Sequence, residues 1–354
     1  MTGSSSYVHA AQAGQQETAP NAITPHRIME IGHAFRASKA LLSAVELGVF
    51  TALAGGPLDV EALRERLGLD ARGARDFLDA LVALELLVRH QDGRYANTSE
   101  TALYLDSNKS SYVGGVLESA NARNYSVWGS LTAALRTGKP QSDVSMVTNF
   151  SALYADDRLR EIFASSMTAR SRPVAQALAA GFPWKNYSTL IDIGGSQGCL
   201  PVTIAQAHSH IMGGGFDLPA MAPLFDSYVR EHALSDRLRF YPGDFFNGPL
   251  PAADVLVLGR VLHNWDLATK KMLLKKSYEV LPPGGALIVY ERLIDDERRV
   301  NASGLLSSLH MLLMSPGGFD FTGAECVGWM HETGFRDIRV EPLTVDQSMV
   351  VGIK

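Results

Sequence analysis

Asp192, Asp217, Asp244 and His263 are the residues of this 354-residue chain whose types and spacing first suggest chemistry. The leading acid opens Asp192-Ile-Gly194-Gly195-Ser-Gln-Gly198, where three glycines fall within five positions. A glycine-rich turn between a strand and a helix can hold a phosphate, a dinucleotide or another small ligand. A phosphate-binding loop needs Lys-Ser/Thr directly after its glycines, and Cys199-Leu200 stands there instead. A dinucleotide loop comes closer, since an acid lies 25 residues on, at Asp217. Yet Asp192, inside the end of the strand, would repel a pyrophosphate at the helix N-terminus. That acid suits a ligand that is cationic or carries an amino group.

S-adenosylmethionine is such a ligand, with a sulfonium, an ammonium and a ribose but no phosphate. The chain offers the rest of its site in order. Phe216-Asp217-Leu218-Pro219 places a carboxylate at the end of a second strand, where it can accept both ribose hydroxyls. Tyr241-Pro-Gly243-Asp244-Phe245-Phe246 closes a third, with an acid beside aromatics where an adenine would lie. His263 follows a fourth strand, just before a helix, at the strand's C-terminal end facing the same crevice. No compact cluster of metal ligands shows, so no metal is expected.

The elements that must position these residues read as follows. At this length two domains are expected, and 46% apolar with 19% charged residues can build a sizeable core. A net charge of −5 argues against a polyanion binder, and no apolar run is long enough for a transmembrane helix. Two cysteines form no disulfide framework, and the first residues lack the pattern of a secretion signal, so a cytoplasmic protein is expected. Residues 1–24 read as a mobile tail.

Residues 25–105 give three helices and a hairpin turning at Asp92-Gly93, the order of a winged helix. Its would-be recognition helix sets Arg72 and Arg75 among Asp70, Asp76, Asp79 and Glu85, which favours dimerisation over nucleic-acid binding. Residues 106–180 read as helices rich in Met and aromatics at helical spacing, either core or substrate cleft. From 181 to 354, strand-length apolar runs alternate with helices, as in a parallel sheet covered on both faces. The last two runs leave no room for a helix between them and should pair antiparallel.

The motifs "LIDIGGSQG", "GFDLP", "YPGDFF", "VLHNWD", "LPPGGALIVYERLI" and "SPGGFDFT" together resemble the small-molecule O-methyltransferase family that includes caffeic acid and acetylserotonin O-methyltransferases and antibiotic-tailoring enzymes. The resemblance runs from about Ala22 to Lys354. It implies a Rossmann-like class I methyltransferase domain, an α/β fold whose seven-stranded, mostly parallel sheet includes a terminal antiparallel strand. A helical winged-helix dimerisation domain would precede it, and the protein would be a homodimer with neither nucleic acid nor membrane as partner. S-adenosylmethionine would be the cofactor, S-adenosylhomocysteine the product, and an aromatic small molecule the acceptor.

The resemblance also implies roles. Asp192, Gly194, Gly195, Gly198, Asp217, Leu218, Gly243, Asp244, Phe245 and Arg260 would bind the cofactor. His263 would be the general base for an acceptor hydroxyl, with Glu291 and Asp320 flanking it. Such a base is useful, because a phenol is a poor nucleophile at neutral pH and an imidazole can remove its proton. Met167, Arg170, Trp265, Met311, Met314 and Ser315 would face the acceptor, with Arg170 suited to a carboxylate or carbonyl. The chain departs from the plant pattern in three places: Gly259 replaces a lysine, Ser196-Gln197 a third glycine, and Asp320 a glutamate. Relatives that keep the cofactor but hydroxylate or steer cyclisation, and a ligand-sensing winged-helix regulator, are the rival readings.

Overall fold

The structure, a computed structural model, describes residues 23–109, 111–142 and 150–354. The tail expected over 1–24 lies almost wholly outside the described residues. Helix α1 (His26–Glu46) buries Leu42, Ala44 and Val45, whereas Ile28, Met29, Ile31 and Phe35 of its first half are exposed. The helix breaks at Gly48, whose φ of 72° ends the turn before α2 (Val49–Ala52). Helix α3 (Val60–Leu67) starts where the Asp59 carboxylate accepts from the Ala62 N–H at 2.8 Å and stops at Gly68, as its sequence signals predict.

Helix α4 (Ala71–Ala83) precedes strands β1 (Leu87–Arg89) and β2 (Tyr95–Asn97), which pair antiparallel across Asp92-Gly93. Val49, Phe50, Leu63, Leu78, Leu81 and Tyr95 form the core of this unit. Asp79 takes both Arg75 and Arg89, at 3.7 and 2.7 Å, so these arginines are already paired. Short helices α5 (Ser99–Tyr104), α6 (Gly114–Ser119), α7 (Tyr125–Trp128), α8 (Leu131–Thr137) and α9 (Phe150–Ala155) lead into α10 (Asp157–Gly181). Asp156 caps α10, accepting from the Leu159 N–H at 2.9 Å. The C-terminal part of α10 lays Val174, Ala175, Leu178 and Ala179 on the sheet, which fixes the direction its preceding turns face.

The sheet forms from strands β3 (Thr189–Ile193), β4 (Met212–Asp217), β5 (Leu238–Pro242), β6 (Val255–Gly259), β7 (Ala286–Glu291), β8 (Arg336–Pro342) and β9 (Ser348–Ile353). Helices α11 (Cys199–Ala207), α12 (Ala222–Glu231), α13 (Leu267–Val280), α14 (Ala302–Met314) and α15 (Gly323–Thr333) alternate with them. Strand order is β5-β4-β3-β6-β7-β9-β8. Continuous burial along β6 and β7, without alternation, matches a sheet covered on both faces. The last strand is antiparallel, as expected. It is not at the edge, because β9 inserts between β7 and β8 and pairs antiparallel with both.

Connections run outward from β3 to β5, then return to β6, so the order reverses between the two central strands. A crevice opens there beyond their C-terminal ends. Gly198 turns the chain from that crevice into α11 with φ 90°, and a Cβ on it would lie 2.5 Å from the Phe225 ring. Gly198→Ala should lose roughly 1–3 kcal/mol from this overpacking, with backbone strain in addition. A urea unfolding midpoint equal to that of the parent protein would refute this account of the turn.

Candidate active site

Asp192, Asp217, Asp244 and Glu291 lie at or just past the C-terminal end of a strand, and Asp320 lies in the loop between α14 and α15. Asp192 in β3 is 5% exposed, and Gly195 crosses so closely over it that a Cβ would lie 2.8 Å from its Oδ2. Asp217 ends β4 and is also buried. Its Oδ2 accepts from the Ser196 N–H at 2.9 Å and its Oδ1 from the Leu218 N–H at 2.7 Å, so one carboxylate ties the glycine loop to the next turn. Gln197 donates to the Thr168 hydroxyl at 2.6 Å, which anchors the same loop to α10. After β5, Asp244 accepts from the Phe246 N–H at 2.9 Å and from the Asn247 amide at 2.6 Å. Phe245 and Phe246 pack edge-on against Trp265, at 5.7 and 4.9 Å between centroids.

His263 sits in a short turn after β6. Asn264 closes that turn, donating to the Arg260 and Val261 carbonyls at 3.1 and 3.2 Å. Arg260 there takes φ 56°. The histidine is 6% exposed. Its backbone N–H donates to Glu291 Oε1 at 3.2 Å. Its Nδ1 lies 3.2 Å from Glu291 Oε2 and 3.4 Å from Asp320 Oδ1. With Nδ1 turned to these carboxylates, Nε2 occupies the opposite edge of a ring that lines the cavity. Asp320 therefore reaches the imidazole despite being one methylene shorter than glutamate. It does not cap α15: Thr322 does, in a reciprocal pair with Glu325.

The cavity has a volume of about 340 Å³, enough for a ligand of cofactor or drug size. Asp192, Gly194, Gly195, Asp217, Leu218, Gly243, Asp244, Phe245 and Arg260 line it, and so do Met167, Arg170, His263, Trp265, Met311 and Met314. Gly198 and Ser315 do not. Ser315 is buried beneath it, donating to the Asn264 carbonyl at 2.8 Å and accepting from the Gly318 N–H at 2.9 Å, which holds the histidine turn in place. Glu291 and Asp320 stand behind His263 and do not face the cavity. Gly259 lacks a side chain for a steric reason, since a Cβ would enter the Tyr290 ring.

Sequence reading missed Tyr154, Phe163, Ser166, Ser171 and His310, which also line the cavity. Helical spacing from Met167 and Arg170 could have found those on α10. His310 stacks on Trp128, 6.3 Å between centroids and 6° from parallel. Arg170 has a buried Nε without a hydrogen-bond partner. Burial lowers its pKa to about 10, with Arg260 and Arg292 adding to the effect, so it stays cationic at neutral pH. The expectation that no metal-ligand cluster exists needs correction. Among the described residues, His263, Glu291 and Asp320 bring ligand atoms within 4.8 Å of one another, drawn from three segments far apart in the chain.

Electrostatics at the other end of the cavity favour a cation. Burial, then the neighbouring Asp217, pushes Asp192 up to about 8, and burial pushes Asp217 up to about 6 despite two N–H donors. Both carboxyls thus hold protons at pH values where free ones have lost them. A bound cation favours the ionised forms, so binding should release protons and affinity should rise as pH climbs from about 6 to about 8, then level off. Calorimetric titration with S-adenosylmethionine at several pH values, in buffers of different ionisation heat, checks this. Affinity that is flat across the window, or that falls, would contradict it, and Asp192→Asn should flatten most of the dependence.

Known proteins match this chain along nearly its whole length. The family profile of the O-methyltransferase domain matches residues 128–336, and that of the O-methyltransferase dimerisation domain matches residues 29–107. The tetracenomycin polyketide synthesis 8-O-methyl transferase TcmO of Streptomyces glaucescens is 43% identical, over 93% of this chain and 97% of its own. The N,N-dimethyltransferase OxyT of Streptomyces rimosus is 39% identical, over 87% and 90%. Human N-acetylserotonin methyltransferase, solved in complex with SAM, superposes with a TM-score of 0.85 at 27% identity, covering 95% of this chain and 99% of that one. With its buried acids poised for a cation and its sheet wound as in these enzymes, the chain belongs to the S-adenosylmethionine-dependent O-methyltransferase family and is a methyltransferase that carries the family's dimerisation domain.

Proposed function

We propose that the protein transfers the methyl of S-adenosylmethionine to a phenolic hydroxyl of a polycyclic or polyketide-type aromatic, with His263 as general base. The observation that carries this reading is the imidazole held by Glu291 and Asp320 at its Nδ1 edge while the ring lines the cavity. In that arrangement Nε2 takes the hydroxyl proton as oxygen attacks the methyl carbon. The new O–C bond forms as the S–C bond breaks, leaving a neutral thioether. Glu291 and Asp320 fix the ring and stabilise the imidazolium. The enzyme contributes alignment and a dry slot between Met167, Met311, Met314 and Trp265, whose adaptable side chains suit a flat ring. TcmO, an O-methyltransferase of polyketide synthesis, supports the choice of acceptor class.

Arg170 refines that class. A guanidinium whose buried Nε lacks a hydrogen-bond partner suits an acceptor bearing a carboxylate or a carbonyl next to the reacting hydroxyl. The similarity to OxyT gives amine acceptors as the second reading. A panel of phenols, hydroxyaryl acids, polyketide aromatics and aryl amines, incubated with S-adenosylmethionine and followed by mass spectrometry, separates the two. The expected outcome is a gain of one methylene on a hydroxyl, fastest for the acidic hydroxyaryls. His263→Ala should lower kcat by about 10²–10⁴. Methylation confined to nitrogen, or a His263→Ala protein with parent kcat, would overturn the assignment.

We also propose a homodimer in which the exposed Ile28, Met29, Ile31 and Phe35 face of α1 is covered by a second copy. Sedimentation should give twice the chain mass, and a single species at the chain mass would exclude it.

A further inference from the structure

Between α6 and α7 the chain stays helical but changes its winding. Ser119 and Tyr125 hold ordinary helical angles, yet the Tyr125 N–H donates to the Ala120 carbonyl, five residues back instead of four. Ala120–Asn124 is therefore one π-turn set into a helix that continues on both sides of it. Such turns are rare and gather at functional sites.

The winding decides which side chains face the cavity. Ser119, Arg123 and Asn124 all line it. In an uninterrupted α-helix Asn124 would stand about 140° around the axis from Ser119, on another face. Bonds closed over five residues bring position i+5 nearly above position i, so the π-turn swings Asn124 onto the face that carries Ser119. One turn further on, Trp128 stacks on His310 of α14, and Val127 and Trp128 pack with Leu313 and Met314. The π-turn thus stands beside the methionine-lined wall of the cavity.

Another side of the same turn is clamped to α1. Lys39 Nζ donates to Asn121 Oδ1 at 2.6 Å, and Asn121 Nδ2 donates to Glu46 Oε2 at 2.5 Å. The Tyr125 hydroxyl donates to the Phe35 carbonyl at 3.4 Å, and the Lys39 ammonium lies 5.5 Å from the centre of the Tyr125 ring. Asn121 and Tyr125 are four residues apart and neither lines the cavity. Helix α1 therefore sets the rotation of the turn from outside, and that rotation aims Asn124.

We propose that this π-turn is a specificity element of the acceptor site, which presents the Asn124 carboxamide to a hydroxyl or ketone oxygen of the acceptor other than the one methylated. This rests on the reading of the methionine-lined slot as the acceptor site. A carboxamide both donates and accepts, so it serves either kind of oxygen. An acceptor without a second oxygen strips water from the carboxamide and returns no hydrogen bond, which disfavours it. Asn121 is the positioning residue, acting through the turn and not on the acceptor.

Binding tests this without turnover. With S-adenosylhomocysteine bound, calorimetric titration gives affinities for dihydroxyanthraquinone and for hydroxyanthracene, which share a ring system and differ in their further oxygens. Asn124→Leu keeps the size of the side chain and removes its polarity. It should lower the ratio of the two affinities about tenfold, by weakening the quinone, and leave the affinity for S-adenosylhomocysteine unchanged. Asn121→Leu should lower the ratio in the same direction by a smaller factor. Deleting the exposed Ala122 closes the ring over four residues and should lower the ratio as far as Asn124→Leu does. If the deletion protein does not fold, Asn121→Leu added to Asn124→Leu carries the same test, since with the carboxamide gone the ratio must change no further.

A ratio that Asn124→Leu leaves unchanged would overturn the proposal, as would a further fall in the double variant. Met311→Ala separates the proposal from the reading beneath it. If that substitution weakens both probes while Asn124→Leu leaves the ratio alone, the slot is the acceptor site and the turn has no part in selecting the acceptor. If it weakens neither probe, the slot reading and the proposal fall together.

Discussion

Four carboxyl groups buried at one end of a parallel sheet set the constraint that organises this protein. Asp192, Asp217, Glu291 and Asp320 are each less than a tenth exposed. An ionised carboxylate taken out of water costs several kcal/mol unless something compensates it. Each of the four is compensated differently. Asp217 has two backbone N–H donors. Asp192 is compensated by holding a proton, which burial and the neighbouring Asp217 favour. Glu291 accepts the His263 N–H, and both it and Asp320 face that imidazole and lie in the field of Lys270. The end of the cavity at Asp192 and Asp217 thus suits a cationic ligand, while at the other end Glu291 and Asp320 face the His263 imidazole.

The topology makes this concentration of acid possible. Strands β3, β4, β6 and β7 are parallel and adjacent, so their C-terminal ends converge. The apolar runs of β3, β6, β7 and β9 are buried, and Asp192, Asp217 and Glu291 stand at or next to the C-terminal ends of their strands. Helix α10 serves two purposes along its length. Its last turns pack on the sheet through Val174 and Leu178, and that packing aims Met167 and Arg170 into the cavity. Turn residues then fix the details: Ser315 and Asn264 brace the histidine, and Gln197 ties the glycine loop to α10.

Much of this was legible in the sequence because it depends on local pattern. Alternating strands and helices, caps at Asp59 and Gly68, and acids at strand ends all follow from short-range chemistry. What was not legible depends on distant segments meeting. The placement of β9 between β7 and β8 requires the chain end to return into the sheet. The proximity of His263, Glu291 and Asp320 joins a turn, a strand and a loop, so their spacing in sequence looks like no metal or triad motif. Ser315 falls in a motif that reads as acceptor-facing, yet its hydroxyl is spent on backbone groups. Lys270 and Lys271 are the sharpest case. They are identical neighbours in the sequence, but one is wholly buried against the Trp265 carbonyl and the Phe319 ring, and the other pairs with Glu332 at the surface. Only the phase of α13 against the sheet separates them.

The division of the cavity also divides binding from catalysis. During methyl transfer the positive charge on sulfur disappears, so a carboxylate that attracts the sulfonium or ammonium stabilises the bound cofactor at least as well as the transition state. Such a group governs affinity and cannot by itself accelerate the step. Acceleration must come from interactions that strengthen as the reaction advances. Under the proposed reaction two would do so: in-line alignment in the slot, and proton removal by an imidazole held at its Nδ1 edge by Glu291 and Asp320. On this view the acids at β3 and β4 are read out in cofactor affinity, and the cluster behind His263 is read out in kcat and its pH dependence. The physical distinction lies in what happens to charge near each group, since one end loses a cation and the other gains one.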